Sequence, residues 1–207
     1  MPATTTATTR TTTAPTPARR ARTEEIVDAA VRLFSERGFT ESGIDDIGAA
    51  VGITGPAVYR YFASKEDVLV AVVERSVEHA AGLTEAARAG ASSPEGVLEQ
   101  LIERSVRVCI ADRALTAIYW NEARNLPTPQ RRRVERAQRD LIEDFADVLR
   151  EVRPELSPSE ARMAVYAAAS LMRSVAYRAT SLDEATLQTM LTQMAHAALL
   201  AVPAAGH

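Results

Sequence analysis

The stretch from Ser42 to Lys65, SGIDDIGAAVGITGPAVYRYFASK, constrains this chain more than any other part of it. Ser42 followed by Asp45 has the pattern of a capping box, with Ser42 as the expected N-cap. Ile44, Ile47 and Val51 then fall on one helical face, with Ala50 beside them. Gly52 breaks that helix early. Thr54 is placed to cap a second helix, with Pro56 in its first turn. A short helix, a glycine-containing turn and a second short helix make a helix-turn-helix, whose second helix enters the DNA major groove. That second helix is expected to face outward with Thr54, Gly55, Tyr59, Arg60 and Tyr61. Gly55 and Ala57 would leave room for close approach to bases, while the hydroxyls and the guanidinium reach base edges or phosphates.

The longer segment FSERGFTESGIDDIGAAVGITGPAVYRYFASKEDVL resembles the DNA-binding segment of TetR-family transcriptional regulators. The matching pieces are Phe34, the Gly38-Phe39 turn, Ile44 and Ile47, Ala50 with Gly52-Ile53, Val58-Tyr59 with Tyr61-Phe62, and Ser64-Lys65. The spacing fits without gaps from about Thr23 to Val73, and the match weakens after residue 80. The resemblance implies a homodimeric regulator whose last two long helices form a four-helix bundle with those of a second copy. It also implies an effector pocket among the middle helices.

Charge is distributed as that reading requires. The chain carries 24 basic and 27 acidic residues, and a net charge of −3 alone would argue against a nucleic-acid partner. Residues 1–23, however, hold four arginines and no acid, whereas residues 66–207 hold 16 basic and 20 acidic residues. The basic surface is therefore local, and Arg20 and Arg22 join the candidate DNA contacts with Ser42, Thr54, Gly55, Pro56, Ala57, Tyr59, Arg60 and Tyr61. Lys65 completes the set as the only lysine of the chain. A cation in a first helical turn opposes the macrodipole, so Lys65 is expected to hold a phosphate at that helix N-terminus.

The remainder reads as all-α, because no stretch alternates convincingly at period two. Residues 1–17, rich in threonine and proline, are expected to be a disordered tail. Residues 18–65 form the DNA-binding domain and 66–207 the ligand-binding and dimerisation domain. Helices are expected at 18–37, 65–88, 94–111, 114–126, 129–152, 158–180 and 183–202, around the helix-turn-helix. One cysteine, Cys109, and an N-terminus without an apolar leader suit a soluble cytoplasmic protein. No apolar run is long enough to span a bilayer.

Two late helices suggest self-association. Residues 161–177 are small and apolar on nearly every side, and the final helix spaces Leu187, Leu191, Met194 and Ala198 along one face. With Met172, these are the expected dimer contacts. For a small-molecule site the candidates are polar or aromatic residues within apolar helices: Cys109, Tyr119, Trp120, Glu122, Arg124, Asn125, Tyr166, Ser170, Arg173 and Tyr177. Trp120, Tyr166 and Tyr177 would wall an apolar cavity, with Arg124 or Arg173 meeting a polar or negative group. An arginine buried there without an acidic partner would favour an acidic effector such as an acyl thioester. Pairing with carboxylates such as Glu122 would favour a neutral hydrophobic one. Arg131, Arg132 and Arg133 read as a solvated face with acidic partners.

Enzymatic signatures are missing: the chain has no HExxH, GxSxG, Walker loop or GxGxxG, and no Glu-x-x-His pair for a di-iron site. His79, His196 and His207 lack ligand-like spacing, so neither a metal nor a cofactor is expected. Two functions remain. One is a ligand-responsive regulator of operator DNA; the other is a helical DNA-binding dimer without a small-molecule effector, architectural or controlled by a partner protein.

Overall fold

The computed structural model of the protein describes residues 16–177 and 180–202. The expected tail therefore lies outside the described residues up to position 15. Its last two positions are part of a helix: the Thr16 hydroxyl caps the first turn, accepting from the Arg19 amide, and Pro17 opens it. Ten α-helices follow one another among the described residues, and no strand accompanies them.

Helix α1 (Pro17–Glu41) is interrupted at Gly38, whose φ of 81° no L side chain adopts comfortably, so the expected stop falls there as a kink. Helices α2 (Ile44–Ala50) and α3 (Gly55–Val58) form the helix-turn-helix, separated by Gly52 at a φ of 72°. Ser64 caps α4 (Lys65–Ala80) by accepting from the Asp67 amide. The helix expected over 65–88 is divided in two. Gly82, at a φ of 76°, turns the chain into a separate helix α5 (Leu83–Gly90). An isolated glycine inside a helical pattern did not betray that break.

Beyond it lie α6 (Pro94–Ala111), α7 (Arg113–Glu122), α8 (Thr128–Val152), α9 (Pro158–Met172) and α10 (Glu184–Leu200). Ser157 and Glu160 form a capping box at the start of α9, and Asp183 caps α10. Helix α9 ends sooner than the expected 158–180 and tightens into a 3-10 turn over Arg173–Ala176.

Two apolar clusters organise these helices. The body cluster joins α6, α8, α9 and α10 through Leu98, Leu101, Ile102, Phe145, Leu149, Val165 and Leu199. The head cluster holds Ile26, Phe34 and Ile47, but also Val68, Leu69, Val72 and Val73 of α4, and Leu115 and Ile118 of α7. The core of the DNA-binding head thus extends well past Lys65, into helices assigned by sequence to the second domain. No described helix is long and apolar enough to cross a membrane.

Candidate DNA-reading head and effector cavity

The head is closed by close backbone approach. A β-carbon at Gly48 would lie 2.9 Å from the Ile53 carbonyl oxygen and 3.0 Å from the Gly55 amide nitrogen. Gly55 is equally confined, since a β-carbon there would overlap the Asp45 carboxylate. The expectation that Gly55 leaves room for bases is therefore corrected: it is buried, and the room it leaves is filled by α2. Gly48 was missed altogether. A glycine inside a short helix next to a turn was its available signal.

Ser42 also changes role. It is fully buried, and its hydroxyl donates to the carbonyls of Leu33 (3.2 Å) and Gly38 (2.8 Å) rather than capping α2 or facing DNA. The N-cap is Gly43, whose amide donates to the Asp46 carboxylate at 2.9 Å. Lys65 is corrected as well. Its ammonium donates to the carbonyls of Phe39 (2.8 Å), Ser42 (3.0 Å) and Thr40 (3.3 Å), and rests 4.3 Å from the Phe39 ring centroid. An ammonium has three donors, and all are committed to the carbonyl-rich end of α1. The lone lysine locks α4 onto α1.

The outward surface that remains consists of Thr54, Pro56, Tyr59 and Arg60, all exposed, with Ala57 and Tyr61 half-buried. Arg20 is exposed as well. Arg22 is not available in the same way, because it donates to the Val51 carbonyl at 3.2 Å and pairs with Glu25 at 2.7 Å. Arg19, which the sequence gave no reason to single out, donates to the Arg60 carbonyl at 2.8 Å, with its guanidinium carbon 5.4 Å from the Tyr61 ring centroid. It fixes the start of α1 against the end of the reading helix.

Between head and body lies a cavity of about 180 Å³, walled by α4, α5, α6, α7, α8 and α9. Its lining is mostly apolar: Val77, Ala80, Leu83, Leu101, Val108, Leu141, Ile142, Phe145, Val165, Ala169 and Met172. Polar atoms enter from Ser76, Thr84, Ser105, Cys109, Thr116, Tyr119, Gln138 and Arg173. Tyr119 donates to Gln138 at 2.9 Å and stacks edge-on against Trp120, with centroids 5.1 Å apart. Burial pushes the Cys109 thiol up to about 11 and the Tyr119 phenol up to about 12, so both stay protonated at neutral pH.

Of the expected pocket residues, Cys109, Tyr119, Trp120 and Arg173 line this cavity. The other six do not. The Glu122 carboxylate turns toward the head, accepting from the Phe39 amide at 3.3 Å and from Asn125 at 2.6 Å. Arg124 and Asn125 are exposed at the end of α7. Tyr166 and Ser170 lie on the outer face of α9, and Tyr177 is exposed beside Arg173. Helical periodicity had put these residues near one another without saying which face looks inward.

The expected dimer contacts divide similarly. Met172, Leu187 and Leu191 are buried within one subunit's core, and Ala198 is half-buried. Only Met194 is exposed, at 47%. Met190 of α10 and Met163 and Tyr166 of α9 are exposed too, Met163 at 67%. Of the arginine run, Arg131 faces Glu135 at 3.8 Å and Arg133 pairs with Glu74 at 2.5 Å. His207 falls outside the described residues.

Two family models match this chain: bacterial regulatory proteins of the tetR family over residues 26–72, and a tetracycline repressor-like C-terminal domain over residues 91–178. The HTH-type transcriptional repressor KstR2 of Rhodococcus jostii is 29% identical over 110 residues, 53% of this chain and 54% of that protein. The chain spans about half the length of that relative. A TetR-family regulator from Bordetella parapertussis shares the fold, with a TM-score of 0.78 at 20% identity over 86% of this chain and 94% of that one. AibR, solved with isovaleryl coenzyme A and operator DNA, has a TM-score of 0.72 at 14% identity over 84% and 97%.

Proposed function

The chain belongs to the TetR family of transcriptional regulators, and from that premise we propose a homodimeric repressor released from operator DNA by a small molecule. The observation that carries the reading is the sharing of two helices between head and cavity. Helix α4 gives Val68, Leu69, Val72 and Val73 to the head core, then Ser76, Val77 and Ala80 to the cavity wall. Helix α7 gives Leu115 and Ile118 to the head and Thr116 and Trp120 to the cavity. Its last residue, Glu122, holds the Phe39 amide of the head.

A ligand that displaces either helix must therefore displace the head. In a two-fold dimer the reading helices sit about 34–36 Å apart to match one DNA turn. A shift of that spacing, with a coupling of about 1–3 kcal/mol, would weaken operator binding roughly 5- to 150-fold. Dimerisation is assigned to the exposed face of α9 and α10 that carries Met163, Tyr166, Met190 and Met194. Thr54, Ala57 and Arg60 are assigned to base edges, with Tyr59, Tyr61 and Arg20 placed on the backbone.

Selection of duplexes from a random library tests the reading. The protein is expected to enrich a pseudo-palindrome, and Arg60→Ala to relax preference at one position per half-site by about 1–3 kcal/mol. Failure to enrich any sequence would refute it. The alternative, a DNA-binding dimer without an effector, predicts that no small molecule weakens the selected complex in a gel-shift titration.

A further inference from the structure

The cavity holds one formal charge, and that charge has no partner of opposite sign. Arg173 lines it from the 3-10 turn after α9, with its guanidinium carbon 3.8 Å from the Trp120 ring centroid. One terminal nitrogen donates to the Ser170 hydroxyl at 2.9 Å, and the phenol of Tyr177 is a second polar neighbour. The Nε is buried and has no acceptor. No carboxylate forms an ion pair with Arg173 among the described residues. Every other cavity-lining side chain is apolar or a neutral polar group. Partial burial pulls this guanidinium below its usual range, offset in part by Tyr177 beside it. Arginine nevertheless stays charged, and its planar fork is shaped for two oxygens.

Size restricts what can supply those oxygens. An engineered apolar void of about 150 Å³ is filled by benzene, so a cavity of about 180 Å³ takes a ring or short chain together with one small polar group. A thioester carbonyl is neutral and brings no charge to Arg173, whereas a carboxylate brings both the charge and the two oxygens. We propose that the cavity is a binding site for a small apolar monocarboxylate, of the benzoate, phenylacetate or hexanoate class, with Arg173 as its carboxylate anchor and Trp120 flanking the pair. This deepens the effector reading above and rests on it. It also narrows the acidic effector expected from sequence to a free acid.

The test needs no DNA in its first arm. Trp120 is the only tryptophan of the chain, so its emission reports on the cavity wall directly. Full-length protein is titrated with benzoate, phenylacetate and hexanoate, with the matching primary amides, and with hexanoyl-coenzyme A. At least one carboxylate is expected to saturate the signal and to bind about 10- to 100-fold more tightly than its amide. Arg173→Gln should erase that preference while leaving the amide unchanged, and Arg173→Lys should retain part of it. Equal binding of acid and amide, an unchanged preference in Arg173→Gln, saturation by the thioester alone, or no saturable change with any carboxylate would each overturn the assignment. A second arm adds the bound carboxylate to the selected duplex complex. Carboxylate binding without loss of DNA would leave this site standing and remove the effector role; loss of DNA supports both.

Discussion

In the head, α2 and α3 approach so closely that one added carbon at Gly48 meets three backbone atoms, whereas between head and body six helices leave a void of about 180 Å³. Both regions are helical and apolar inside. They differ in what closes them. The head is fixed by residues whose identity cannot vary without a clash or an orphaned carbonyl: Gly48, Gly55, Ser42 and Lys65. The body is closed by aliphatic side chains that could trade volume with one another, and it remains hollow where they converge. Rigidity in one region and spare volume in the other suit a device in which a reading surface must keep its shape while its carrier is pushed.

The largest expected effect concerns where the body is solid. Leu191→Arg would put an unpaired charge into a packed core, costing about 3–5 kcal/mol, and should abolish the cooperative thermal transition. Met194→Arg, on the exposed face of the same helix, should leave the helical signal intact and convert the dimer to a folded monomer. Sedimentation combined with circular dichroism separates the two. A dimer that survives Met194→Arg would move the interface elsewhere.

Lys65→Met sharpens the contrast from the side of the head. Three hydrogen bonds from an ammonium to carbonyls are lost, and a charge-assisted bond contributes about 1.5–3 kcal/mol. The melting temperature should therefore fall, while the salt dependence of duplex binding by the folded protein stays as in the wild type. A slope reduced by about one unit would return Lys65 to the phosphate backbone.

Gly48→Ala probes the closest approach directly. Overpacking against backbone typically costs about 1–3 kcal/mol, and a lost or lowered head transition with an intact body is expected by hydrogen exchange. Equal protection in mutant and wild type would mean that α2 and α3 can separate without penalty. The smallest effect on stability belongs to Ala169→Leu, which extends a cavity-lining side chain into the void. Stability should change by less than about 1.5 kcal/mol in either direction, yet the carboxylate response of Trp120 should vanish. Destabilisation matching that of Gly48→Ala would show that the void is not available volume.

Local pattern was enough for much of the head. The glycines at 38 and 52, the Ser64 cap and the apolar spacing of Ile47 are short-range features, and the chain folds there as its neighbours in sequence dictate. Gly82 shows the limit of the same method, because a glycine within a helical pattern can be tolerated or can turn the chain, and packing chooses. Ser42 and Lys65 show another. Both have side chains suited to DNA, and only the position of the α1 carbonyls, brought back by the Gly38 kink, sets them to internal work.

The amino-acid sequence by itself determined the all-helical architecture, the helix-turn-helix and its family, since periodicity, caps and breakers act over a few residues. Tertiary structure alone decided which side of α7 and α9 faces the void, that Glu122 turns to the head, and that Arg173 is the cation left without an acid. Those outcomes depend on the rotation of each helix against several others. Such a rotation is set by the packing of distant segments, and the spacing of residues along one helix carries no record of it.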